Sequence, residues 1–205
     1  GNSIPLGVGI GYFHKVNRLN NIVLIFFGDG ATEEGVFYES LNFACVKHIP
    51  AIYICENNFY SVYSPLSVRQ PNKRKIYKLA ESIGAKSYFE DGNNAIKSYK
   101  CLKKAIKECR ENNRPIFIEF QTYRTLEHCG PNLDNELGYR EEKEIKKWRK
   151  KDPIEFMKKN LSSRDIVKFQ KYNRELDSEI EKSFLFAKEA KAPNEEELYT
   201  EILLK

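Results

Sequence analysis

Ile22 to Ala44 reads IVLIFFGDGATEEGVFYESLNFA, an unbroken apolar run that passes directly into two glycines around one aspartate. A run of this kind is the pattern of a short parallel-sheet strand buried on both faces. Beyond the glycines, Phe37, Leu41, Ala44 and Cys45 recur at helical spacing, which predicts a helix over Glu34 to Lys47. It stops at Ile49-Pro50, because the residue before a proline is driven out of the helical region. Ala51 to Cys55 (AIYIC) is then a second apolar strand. Together these segments form one βαβ unit, whose crossover should be right-handed. A tight turn needs one glycine, so the second glycine and the acid call for another explanation.

The alternation continues along the chain. Ile76 to Ile83 reads as a helix ended by Gly84, and Ala85 to Phe89 as a strand closed by Asp91-Gly92. Asn94 can cap a helix running to about Arg110, and Ile116 to Phe120 (IFIEF) is a further strand. Strands alternating with helices predict an α/β fold, a mostly parallel sheet flanked by helices. The α/β core should cover residues 1–125, followed by a polar loop at 126–140 and a helical C-terminal extension at 141–205. Gly7-Val8-Gly9-Ile10-Gly11 lacks the preceding strand and the spacing of a dinucleotide-binding fingerprint. Its small residues instead suggest a helix packed closely against another helix.

Composition narrows the classes of function. The chain has 205 residues, 41% of them hydrophobic and 31% charged, and a net charge of only +5 because both signs are interspersed. That balance favours solvated amphipathic helices over a nucleic-acid surface. The most basic stretch, Lys143 to Lys151 (KEIKKWRKK), reads as one such solvated face. Cys45, Cys55, Cys101, Cys109 and Cys129 make no paired or zinc-binding spacing, which suggests reduced thiols in a cytoplasm. No apolar run reaches the length of about 20 residues that spans a bilayer, so no membrane partner is expected.

Ligands of parallel sheets gather beyond the carboxyl ends of the strands. Gly28-Asp29-Gly30 follows the first strand, and Glu56-Asn57-Asn58 follows the second. A carboxylate and a carboxamide from neighbouring strand ends are hard oxygen ligands suited to magnesium or calcium. Glycine beside the acid lets backbone amides approach a phosphate, and the next helix adds its positive end. The plainer reading treats DG and NN as turn dipeptides. Their joint placement at two strand ends favours a metal-bridged diphosphate site.

GDG followed by NN inside a βαβ unit resembles the thiamine diphosphate motif. GDGATEEGVFYESLNFA with ICENNFYSV is similar to the alpha subunit of 2-oxo acid dehydrogenase E1 components, the pyruvate, branched-chain and acetoin group. The resemblance continues through Gln121 to His128 (QTYRTLEH), Gly138-Tyr139-Arg140 and Lys151-Asp152-Pro153-Ile154. It implies a thiamine diphosphate-binding fold, with thiamine diphosphate and Mg2+ as cofactors. Asp29, Asn58 and the carbonyl of Tyr60 would be the metal ligands. Gly28, Gly30 and Ala31 would present backbone to the diphosphate, and Val62 would be the wedge that keeps the cofactor bent. His128 matches the family's active-site histidine, with Arg124 beside it as a second catalytic candidate.

The resemblance also implies an activity and partners. The activity is oxidative decarboxylation of a pyruvate-like 2-oxo acid, with the acyl unit passed to a lipoyl group on an acyltransferase. A beta-type subunit, in an alpha2beta2 assembly, would contribute the glutamate that tunes the aminopyrimidine. Two departures stand out. The loop reads Leu126-Glu127-His128-Cys129-Gly130-Pro131, with Cys129 where some members carry a phosphorylated serine, so that control should be absent. The family's alpha subunits also carry a long segment before the position of Gly1, so the chain reads as a fragment that is silent alone. Two other readings stay open: a transketolase-like or sugar-modifying thiamine enzyme, and a truncated noncatalytic binding chain.

Overall fold

The computed structural model describes residues 1–200. Contacts divide the chain into two units, Gly1–Met157 and a second that begins at Lys158. In the first unit, four parallel strands form one sheet: β1 (Val23–Gly28), β2 (Ala51–Asn57), β5 (Lys86–Asp91) and β6 (Ile116–Gln121), in the order β1-β2-β6-β5. A two-residue hairpin, β3 (Tyr60–Ser61) and β4 (Ser64–Pro65), stands apart from it. The predicted α/β class and parallel sheet are therefore observed.

Helices cover both faces of the sheet. On one face, α1 (Ser3–Val16), α2 (Gly35–Val46) and α4 (Ile76–Ile83) bury Ile4, Val8, Phe37, Leu41, Ala44, Ile76 and Ala80 against Ile25, Phe27, Tyr53 and Phe117. Phe27, Phe37 and Phe117 meet one another with ring centroids 6.0–6.2 Å apart. On the other face, α5 (Ala95–Asn112) packs Ala105 and Cys109 on Ile52, Ile54, Ile116 and Ile118. Asn94 caps α5 as expected, its side chain accepting from the Lys97 N–H at 3.1 Å. Gly84 ends α4 at φ +122°.

Among the described residues β1 is an outermost strand, α5 packs on β2, β5 and β6, and Leu24 and Phe26 are 41% and 52% exposed. One expectation is corrected: Gly7 and Gly11 of α1 meet β1 and the residue leading into β2 rather than a helix. A Cβ at Gly7 would stand 2.5 Å from Ile25 Cγ1, and one at Gly11 would stand 2.6 Å from Ile49 Cγ2.

α3 (Leu66–Arg69) follows the hairpin, and α6 (Glu142–Arg149) and α7 (Pro153–Lys158) follow the polar loop. Within α6 the lysines are exposed, whereas Ile145 is buried and Trp148 stacks on Tyr123 at 5.3 Å and 2°. The second unit holds α8 (Ser163–Glu189), capped by the Ser162 side chain, and a short 3-10 turn at Glu195–Tyr199. The last five residues of the expected helical extension, 201–205, lie outside the described residues.

Candidate cofactor and metal site

The register of β1 on β2 pairs Phe27 with Cys55 and Gly28 with Glu56, so the GDG and ENN segments leave the sheet side by side. Asp29 opens a 3-10 turn, Asp29–Glu33, and is 1% exposed. One of its carboxylate oxygens, Oδ2, accepts from Arg69 Nη2, and the same guanidinium pairs with Glu33 through Nη1. The other oxygen, Oδ1, is buried and has no hydrogen-bond partner among the described residues. An unpaired buried acceptor is costly to keep, and this one is free to ligate a cation. A Cβ on Gly30 would stand 2.8 Å from Ser61 Oγ and 3.1 Å from Ser61 Cβ. Glycine therefore lets the turn and the β3 strand close on one another.

The second strand end is a pair of asparagine turns. Asn57 Oδ1 accepts from the Phe59 N–H at 3.1 Å, and Asn58 Oδ1 accepts from the Tyr60 N–H at 3.0 Å. Asparagine suits this position because its side chain mimics a backbone turn two residues on. Phe59 and Val62 take left-handed conformations, at φ +72° and +56°. Asn58 is half-buried, and its carboxamide oxygen keeps a lone pair beyond the one Tyr60 uses. Among the described residues no group of three or more His, Cys, Asp or Glu forms a metal site. The candidate donors are instead one carboxylate, one carboxamide and one backbone carbonyl. That set suits a hard cation such as magnesium.

Arg124 reaches back to the same hairpin. Its Nη2 donates to the Val62 carbonyl at 2.8 Å and to Tyr139 Oη at 2.9 Å. Asp134 accepts from both Tyr139 and Arg140, and Arg140 also donates to the Arg124 carbonyl. The Tyr139 ring lies 5.5 Å from Tyr60 and 5.0 Å from Tyr63. The base of the loop is thus fastened to the Tyr60–Val62 turn. At its tip, His128 and Cys129 are exposed, and His128 makes no hydrogen bond or ion pair among the described residues. Between these parts, Glu127 clips the loop closed: its N–H donates to the Asn132 carbonyl at 2.9 Å. Its Oε1 accepts from Asn132 N at 3.2 Å and Nδ2 at 2.8 Å. Gly130 has no Cβ to collide with Glu127 Oε1.

Two supporting residues escaped sequence reasoning. Glu119, in the middle of β6 and 4% exposed, accepts from Asn57 Nδ2 at 2.7 Å and from the Tyr77 N–H, at the start of α4, at 2.9 Å. Asn57 therefore orients the turn, and the Asn58 side chain makes no hydrogen bond with Glu119 among the described residues. Arg69 is the second, distant from Asp29 in sequence. A charged residue inside an apolar run (IFIEF) is the one signal that could have found Glu119; nothing in the sequence marks Arg69.

Burial dominates the electrostatics. It pushes the Tyr60 hydroxyl well above its ordinary range, helped by the hydrogen bond to Glu144. It raises Tyr123 to about 12, with the Glu144 charge adding to it. Burial also raises the Cys55 thiol, and the nearby Glu119 and Asp29 charges reinforce the shift. Burial works against ionisation of Asp134, yet the Tyr139 hydrogen bond and the Arg140 charge hold its carboxyl below the usual value of 3.8.

Residues 1–196 match the family model described as dehydrogenase E1 component. The pyruvate dehydrogenase E1 component subunit alpha of Rickettsia bellii is 33% identical over 208 residues, covering 98% of this chain and 62% of the relative. The mitochondrial 2-oxoisovalerate dehydrogenase subunit alpha 1 of Arabidopsis thaliana is 32% identical over 157 residues, 76% of this chain and 33% of its own length. A transketolase structure from Campylobacter jejuni overlaps 58% of the chain and 19% of its own at a TM-score of 0.47 and 18% identity. The chain spans about three-fifths of the length of the bacterial relatives it matches, 62% in the example above.

Proposed function

The chain belongs to the dehydrogenase E1 component family, and on that premise we propose that it serves in an alpha-type subunit carrying out thiamine diphosphate-dependent oxidative decarboxylation of a 2-oxo acid. The observation that carries this reading is the buried, unpartnered Oδ1 of Asp29 beside the Gly30 cradle. Asp29, Asn58 and the Tyr60 carbonyl would hold Mg2+, and Gly28, Gly30 and Ala31 would offer backbone to the diphosphate. Bound there, thiamine diphosphate supplies the carbon nucleophile and the electron sink for loss of carbon dioxide.

The chain's own residues do the rest by position and charge. Arg69 pairs with both Asp29 and Glu33 and offsets one of their two negative charges, which lessens their repulsion of an incoming diphosphate. Arg124 holds the Val62 carbonyl, which fixes the apolar side chain proposed to brace the bent cofactor. His128, exposed on its clipped loop, would orient the substrate or the acyl acceptor. A beta-type subunit would complete the site in an alpha2beta2 assembly, and a lipoyl-bearing acyltransferase would take the acyl unit. Five free cysteines suit the reducing cytoplasm in which this reading locates the protein.

The test is Asp29→Ala in the full-length subunit with its partner, titrated calorimetrically with thiamine diphosphate and magnesium. Magnesium-dependent binding should vanish while the circular dichroism spectrum is kept. Unchanged affinity would overturn the site.

A further inference from the structure

A separate cavity of about 760 Å³ opens next to the Asn58–Tyr60 turn, and its wall includes none of Asp29, Gly30, Asn58 or Val62. Two aromatic rings and four cations converge on it: Phe59, Trp148, Lys73, Arg74, Lys147 and Lys151. The Phe59 and Trp148 rings lie 5.7 Å apart, and Lys151 Nζ stands 5.0 Å from the centre of the Trp148 ring. None of the four cations forms an ion pair among the described residues. Their neighbour Lys146 differs, bonding Glu142 at 2.6 Å one helical turn away. Unpaired charges of one sign around a concave surface focus a field that attracts anions.

The wall has one carboxylate, Glu144, and it is already engaged: both of its oxygens accept from the Tyr60 hydroxyl at 3.0 Å. Tyr60 thus belongs to two places at once. Its hydroxyl is anchored in the cavity wall, while its N–H is bonded to Asn58 and its carbonyl is the proposed third metal ligand.

We propose that this cavity binds a small anion carrying a flat ring, of the nucleoside diphosphate class, and that its occupancy is coupled to the metal turn through Tyr60. The ring lies against Phe59 and Trp148, where aromatic contact and a nearby cation favour a planar group. The phosphates meet Lys73, Arg74, Lys147 and Lys151. A cavity of several hundred Å³ is the size used for ligands of this class. An anion drawn to Lys147 repels Glu144 on the same helix, and the Tyr60 anchor transmits that displacement to the turn. The coupling rests on the reading of Tyr60 as a metal ligand; the binding does not. Coupling between two binding sites is reciprocal, so cofactor and anion must change each other's affinity by the same factor.

Trp148 lies in the cavity wall, so the part of the full-length protein's fluorescence change that is lost in Trp148→Phe reports occupancy. ADP, pyrophosphate and adenosine are the probes. ADP should give a saturable change that is absent in Trp148→Phe, at least tenfold weaker in Arg74→Ala/Lys147→Ala and retained in Asp29→Ala. Pyrophosphate and adenosine should each bind at least tenfold more weakly than ADP. Equal binding of pyrophosphate and ADP would overturn the ring subsite, and no saturable signal with ADP would overturn the site. Loss of the signal in Asp29→Ala would assign it to the cofactor site and also overturn it. Thiamine diphosphate with magnesium should shift the ADP affinity severalfold in the wild type and not in Tyr60→Phe. An equal shift in both would overturn the coupling alone.

Discussion

Glu119→Gln tests whether the buried carboxylate under the Asn57–Tyr60 turn works as the geometry requires. Glu119 accepts two hydrogen bonds, at 2.7 Å from Asn57 Nδ2 and at 2.9 Å from the Tyr77 N–H, and it donates none. An amide of the same shape can accept only one of them, leaving the other donor facing an NH2 group in a site where Asn57 is 3% exposed. Asn57 cannot flip to compensate, because its Oδ1 accepts from the Phe59 N–H. A hydrogen bond to a charged group contributes about 1.5–3 kcal/mol, and a stranded buried donor costs about 1–3 kcal/mol. The relief of no longer burying a charge offsets part of this. The net expectation is a loss of about 2 kcal/mol, or about thirtyfold in the unfolding equilibrium. Asn57→Asp alone should cost more, since two carboxylates would meet where one hydrogen bond now lies. The double variant restores every partner: the new amide donates to the new carboxylate and still accepts from Tyr77, while Phe59 keeps its acceptor. Urea denaturation of the four proteins measures the cycle. If the double variant is no more stable than the worse single one, the hydrogen-bond assignment is wrong.

Three further outcomes follow from the same reasoning. Gly11→Ala pushes a Cβ into Ile49 and should destabilise by about 1–3 kcal/mol, whereas Gly9→Ala meets nothing within 4 Å and should be neutral or stabilising in a thermal melt. Glu127→Ala should open the clip and raise amide exchange at 127–132 and, under the proposed function, lower turnover of the full-length assembly with thiamine diphosphate affinity unchanged; lost affinity would show that the clip serves the cofactor instead. Asp134 has a depressed carboxyl, so its stabilisation is fully present above its ordinary value of 3.8 and is lost as pH falls below it. Tyr139→Phe, which removes one of the bonds holding it down, should move the acid limb of the pH–stability curve upward, and an unmoved limb would refute the assignment.

The chain's fold class was legible because parallel strands must be apolar and their crossovers amphipathic, a local requirement that IVLIFF, AIYIC and IFIEF meet without reference to one another. The GDG and NN segments could be located for the same reason: strand ends are local features, and glycine and asparagine are chosen there by turn geometry. What the sequence could not contain was set by neighbours far along the chain. The small residues of α1 close on the sheet because Ile25 and Ile49 lie against Gly7 and Gly11. Arg69 becomes the partner of Asp29 because α3 folds back on the 3-10 turn. Glu119 orients Asn57 because β6 lies beside β2. Trp148, inside a lysine-rich stretch that reads as a solvated helix face, becomes a cavity wall because Tyr123 and Phe59 provide surfaces for its ring. Residue type determined which groups could ligate, pack or turn, and the strand order and the returns of the loops determined which of them meet.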